Sequence, residues 1–153
     1  MILEKASNHK IELLHQEEEN TQFSFVMKVT SKQTTCPRCG SLSNQKHSRY
    51  SRKLRDLPLD DKEVKVMLYS NKWFCTDPAC PTKIFTERFS WLDSYRRKTR
   101  RLEDKLTAIA FSMSCLQAEK VCQHWKVPAS HDALLSLIYR EEVVTTTPPF
   151  CGA

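Results

Sequence analysis

The sequence predicts an α+β fold: a small N-terminal β-sheet, a cysteine-framed β region, and a three-helix unit after it. Three observations predict this. Apolar residues alternate with polar ones in several segments before about residue 90, the spacing turns helical after about Ser94, and two close pairs of cysteines bracket much of the β part. With 153 residues, 40% apolar and 27% charged, the balance is that of a folded globular chain and excludes disorder throughout.

In "TQFSFVMKVTS", Phe23, Phe25, Met27 and Val29 alternate with polar or small residues, as a half-buried strand requires. "HKIELLHQ" before it is its expected hairpin partner across the polar "EEEN". Further on, "KEVKVMLYSNKWFC" places Val64, Val66 and Leu68 on one face, and "SRKLRDLPL" is the expected preceding strand, ending at Pro58. From about Ser94, Leu102, Leu106, Ile109 and Met113 form an apolar stripe opposite Arg100, Arg101, Glu103 and Asp104. Ala118, Val121, Cys122 and Trp125 form a second stripe, Pro128 breaks that helix, and Ser130 caps a third containing Leu134, Leu137 and Ile138. Helix, short turn, helix is the helix-turn-helix order, although a helical hairpin that only packs has the same pattern. The resulting division is 1–35 as a hairpin region, 36–90 as the cysteine-bearing ribbon, 91–142 as the helical domain, and 143–153 as a tail or linker remnant.

The four cysteines carry the strongest chemistry. "CPRC" sets Cys36 and Cys39 on one tight turn, and "CTDPAC" sets Cys75 and Cys80 on a second. Each turn can offer two thiolates to one ion, and four soft ligands in a tetrahedron suit Zn²⁺. A closed four-thiolate site leaves no position for water, so one such zinc is structural and not catalytic. The rival readings are buried apolar cysteines or a redox pair, but a redox CxxC is expected beside a βαβ pattern and leaves the second pair unexplained. His47 is an alternative ligand only if one of the four cysteines is left out. Cys115, Cys122 and Cys151 lack paired spacing and read as small apolar residues or, for Cys151, part of the tail.

Charge is unevenly spread. The net charge is +6, and residues 36–90 hold eleven basic against six acidic residues while 91–140 hold nine against five. Basic residues mixed with aromatics cluster after the first cysteine pair, where Lys46, His47, Arg49, Arg52, Lys53 and Arg55 surround Tyr50, and again at Arg96, Arg97, Lys98, Arg100 and Arg101. These are candidate phosphate contacts of a polyanionic partner, double-stranded DNA, with a solvated charged face as the bland alternative. His131 and Ser136, near or within the last helix, are candidate base contacts. The N-terminus lacks the apolar core of a signal peptide and no stretch reaches the length of a membrane span, so a cytoplasmic, membrane-free protein is expected.

Taken in order, "CPRCGS", "HSRYSRKLRDLPL", "KWFCTDPACPTKIFTERF" and "RRKTRRLEDKLTAIAFSMS" resemble the N-terminal part of bacterial insertion-sequence transposases of the IS-L-three class. The resemblance implies zinc on Cys36, Cys39, Cys75 and Cys80, and binding of the element's ends by the basic segments and the helix-turn-helix. It departs at His131 and Ser136, where that family often has basic residues. The chain ends near "TTTPPFCGA", where the family's catalytic domain would begin, and Asp56, Asp60, Asp61 and Glu63 read as a solvated turn and not as a two-metal site. A non-enzymatic DNA-binding module is therefore expected. The alternative is a protein-interaction module that associates with an intact transposase or with a second copy of itself.

Overall fold

A computed structural model describes residues 11–127 and 129–141. The helix break expected at Pro128, the start of "HKIELLHQ", Cys151 and the tail lie outside the described residues. Strands β1 (Ile11–Glu18) and β2 (Gln22–Val29) form the expected antiparallel hairpin, with a register shift between Leu13 and His15. Two-residue strands β3 (Thr34–Thr35) and β4 (Leu42–Ser43) pair around the first cysteine turn. Then come the long antiparallel partners β5 (Lys46–Leu59) and β6 (Lys62–Phe74), and the short β7 (Ile84–Thr86) on the other side of β6.

Strand β5 does not stop at Pro58 but runs to Leu59, and the chain reverses through Asp60 and Asp61. Both have positive φ, 47° and 60°, which suits a tight hairpin with primed-turn geometry; Asp tolerates this region better than most residues. β2 adds to β6 in parallel, pairing Phe23 with Val64 and Phe25 with Val66, so the N-terminal hairpin and the ribbon share one sheet of order β1-β2-β6-β5.

Along β6 the buried face changes side. Val64, Val66, Leu68 and Ser70 are buried, then Asn71 and Trp73. Because side chains alternate with period two, that shift turns Trp73 to the opposite face from Val64. A register slip between Lys46 and Ser48 on β5 lies beside it. The sheet thus feeds two cores. Met27, Val29, Leu54, Val64, Val66 and Leu68 pack against Phe89, Trp91 and Leu92, whereas Trp73 and Phe85 pack with Cys36 and Cys80.

Three helices follow: α1 (Arg100–Ser112), α2 (Cys115–His124) and α3 (His131–Ile138). Thr99, Ser114 and Ser130 cap them by accepting from the amides of Leu102, Gln117 and Ala133. Leu102, Leu106, Ala110, Ala118, Cys122, Leu134 and Leu137 form their buried core, with Ile109, Met113 and Ile138 partly buried against it. Trp125 departs from its expected stripe: it is the C-cap of α2 and 54% exposed, because the helix ends before its side chain can join the core.

The helices are joined firmly to the sheet. Arg55 N–H donates to Arg97 O at 2.8 Å and Thr99 N–H to Arg55 O at 3.0 Å, so residues 97–99 continue along β5. Beneath this join lies Asp56, 3% exposed, whose carboxylate accepts from Thr99 Oγ1 at 2.5 Å, from Arg101 Nε at 2.7 Å and from a second Arg101 nitrogen. The sequence reading of Asp56 as part of a solvated turn is therefore corrected. Asp60 and Asp61 are exposed at the hairpin tip, while Glu63 pairs with Arg55 and Lys65.

Candidate metal centre and nucleic-acid interface

The first cysteine turn is closed by Cys36 N–H donating to Ser41 O at 2.8 Å and Gly40 N–H to Cys36 O at 2.9 Å. Gly40 takes φ +76°, a region that side chains disfavour, so glycine is the fitting residue there. The second turn starts where β6 ends. Cys75 N–H donates to Lys83 O at 2.8 Å, Cys80 N–H to Asp77 O at 3.2 Å, and the Asp77 carboxylate caps Ala79 N–H at 2.9 Å.

These turns bring the Sγ atoms of Cys36, Cys39, Cys75 and Cys80 within 4.8 Å of one another, with Cys39 and Cys75 at 3.5 Å. A tetrahedral zinc with Zn–S of about 2.3 Å needs sulfurs about 3.8 Å apart, so the cluster fits with small adjustment. Cys36 and Cys80 are buried against Trp73 and Phe85, Cys75 is half-buried and Cys39 exposed. The Ser41 hydroxyl, 3.2 Å from Cys39 Sγ, and the Ser41 backbone draw that thiol down to about 6. Cys75 feels the Asp77 backbone pulling it down, but desolvation and the other three sulfurs push it up to about 12. Four sulfurs held this close together are suited to a divalent cation, whose charge offsets the repulsion between thiolates. All six described cysteines are free thiols. The donor set and its spacing support one structural zinc ion.

His47 stays out of the cluster. Its ring packs edge-on against Phe74 at 4.8 Å, and Nδ1 lies 2.8 Å from Ser48 Oγ. Cys122 is 1% exposed inside the helical core and burial raises its pKa, as expected of an apolar cysteine.

The candidate DNA contacts fall into two groups. Six are engaged within the molecule. The Arg52 guanidinium donates to the carbonyls of Asp93 and Arg96, Arg55 pairs with Glu63, Arg100 with Asp93, and Arg101 with buried Asp56. His131 lies between Glu119 at 3.6 Å and Asp132 at 3.2 Å, and Ser136 Oγ donates back to Ala133 O at 2.8 Å. Lys46 rests over the Trp73 ring at 5.3 Å with its strand exposed around it. The side chains of Arg49, Lys53, Arg96 and Arg97 are outside these pairings.

One cleft of ≈720 Å³ collects Lys53, Arg55 and Arg97 from the two sequence clusters together with Lys65 and Lys98. Burial pushes the Lys98 amine below its ordinary value, while Glu103 pulls it back up. A second cleft, ≈730 Å³, gathers Arg52 with Arg38, Lys72 and Arg88. Sequence reasoning placed Lys98 in its second basic cluster but missed Arg38, Lys65, Lys72 and Arg88. Most stand outside a basic run, and only strand pairing and the cysteine turns bring them together.

Residues 32–80 match the family described as the zinc-finger of transposase IS204/IS1001/IS1096/IS1165. Over 86 residues, 56% of the chain, the sequence is 31% identical to the transposase for insertion sequence element IS1001 of Bordetella parapertussis. That alignment covers 20% of the transposase, so the chain spans only a minor part of this relative's length. No solved structure matches. Residues 32–80 are thus similar to the zinc-finger segment of these insertion-sequence transposases, and the four clustered cysteines frame that segment.

Proposed function

We propose that the chain is a zinc-stabilised DNA-binding module of a transposase-like protein, which recognises insertion-element ends in the cytoplasm and contributes no catalytic residues of its own. In this reading the ribbon of residues 36–90 and the helical unit of 91–142 act as one binding surface. The observation that carries it is the cleft where Lys53 and Arg97, from two basic clusters far apart in sequence, meet Lys65 and Lys98 at the junction of sheet and helices. Cations fixed on a rigid surface at such a junction suit a phosphate backbone. Arg49 and Arg96 are further candidate contacts, whereas Arg52, Arg55, Arg100 and Arg101 chiefly hold the protein together.

Base reading by α3 is the weaker part of the surface. His131 is flanked by two carboxylates and Ser136 is bonded to its own helix, so specificity from them depends on releasing those partners on binding. Loss of sequence discrimination in His131→Ala, with little loss of total affinity, is the expected result.

Salt titration of binding to element-end and scrambled duplexes tests the reading. With about four phosphate contacts, log affinity falls against log salt with a slope of about −3 to −4, and Lys53→Ala with Arg97→Ala brings the slope up by about 2. Affinity that ignores salt, or no binding at low salt, overturns it. One observation favours a second reading: Phe111, Leu116, Trp125 and Tyr139 are 53%, 64%, 54% and 82% exposed on the helical unit. Such apolar exposure suits contact with an intact transposase or a second copy of the chain, and predicts salt-insensitive association.

A further inference from the structure

Beside the first cysteine turn, the cleft of ≈730 Å³ is lined by Arg38, Arg52, Lys72 and Arg88, with Tyr50 on its wall and Tyr95 at its edge. None of the described residues lining it is acidic. Tyr95 is the anomaly. It is 93% exposed and has φ +62°, a backbone region disfavoured for a bulky side chain. The turn that holds it is clamped: Arg96 N–H donates to Asp93 O at 3.3 Å, and the Arg52 guanidinium donates to the carbonyls of both Asp93 and Arg96. The clamped backbone thus holds an aromatic side chain out in solvent, almost uncovered by the described residues, beside a pocket of cations. Tyr50, by contrast, is half-buried with the Lys72 amine 5.7 Å from its ring centre.

We propose that this cleft binds an unpaired segment of nucleic acid, with a base stacked on Tyr95 and the flanking phosphates held by Arg38, Lys72 and Arg88. Aromatic faces accept any base, and cations beside them track the backbone, which is the chemistry of single-strand binding. A regular duplex hides its base faces in the stack, so a ring presented to solvent gains most from a base that is already unpaired. Arg38 belongs to the cysteine turn, so the same fold that gathers the four sulfurs also sets one wall of the cleft. The inference rests on the DNA reading above and adds an unpaired strand to it.

The test measures anisotropy of a labelled twelve-nucleotide poly-dT strand and of a labelled duplex with the zinc-loaded full chain at low salt. Tyr95→Asn removes the ring while tolerating the left-handed backbone, and Tyr95→Trp keeps a stacking face. The expected result is single-strand affinity weakened about fivefold or more in Tyr95→Asn, retained in Tyr95→Trp, and duplex affinity within about twofold of the parent in both. Arg88→Ala should weaken the single strand as well. Single-strand binding absent while the duplex binds overturns this inference and leaves the duplex reading standing. Binding of neither overturns both. Equal single-strand affinity in parent and Tyr95→Asn, or an equal loss on the duplex, also overturns it.

Discussion

The cysteine end of the ribbon and the helical unit hold short elements together by different means. Around the cysteines the buried set is Cys36, Trp73, Cys80 and Phe85, with Cys75 at its edge, and the turns it must fix have few backbone bonds of their own. The helical unit buries a continuous set from Leu102 on α1 through Ala118 and Cys122 on α2 to Leu134 and Leu137 on α3. The first set is too small to offset the ordering of two loops, so a metal supplies what apolar burial cannot. The second has enough. Cysteine itself shows the difference: Cys39, exposed and drawn down by Ser41, is poised as a ligand, while Cys122, raised by burial, fills space.

The largest effect should come from breaking the metal site. Cys36→Ser or Cys80→Ser is expected to lose the zinc and the fold of the ribbon's cysteine end, since structural zinc contributes about 10 to 16 kcal/mol. Trp73, buried there, should become exposed and its emission shift to the red, while the far-ultraviolet helical signal persists. Simultaneous loss of the helical signal would show that the two regions are one cooperative unit and erase the contrast.

A smaller effect is expected at the seam. Asp56→Ala leaves Arg101 and Thr99 without their buried acceptor and should cost about 3 kcal/mol, read as a lowered denaturant midpoint, with zinc content unchanged. If zinc is lost too, the seam and the metal site are coupled. The smallest belongs to Cys122→Ala, which should cost about 1 kcal/mol for its small buried volume and leave the bound zinc at the parent level. A fall in zinc would mean Cys122 takes part in binding it.

Local patterns in the sequence carried much of this. Paired cysteine spacing, the alternation of Val64, Val66 and Leu68, and the serine cap at Ser130 each act over a few residues, and the structure has the elements they predict. What long-range pairing decides was hidden. Nothing near Phe23 says that its strand will lie parallel to Val64, and nothing near Asp56 says that Thr99 and Arg101, more than forty residues on, will make it a buried acceptor. The charge clusters were legible as clusters, but not which arginines would be spent on carbonyls and carboxylates of the protein itself. Trp125 misled because helical spacing says where a residue would face if the helix continued, and this one ends.

Four sulfurs around one ion are the core of the ribbon's cysteine end. X-ray absorption at the zinc edge, on protein purified without chelator and with its metal counted by elemental analysis, tests that most directly. About one zinc per chain, in a shell of four sulfurs at about 2.3 Å, is the predicted result. Less than half an equivalent, or a shell containing nitrogen or oxygen in place of a sulfur, would contradict it.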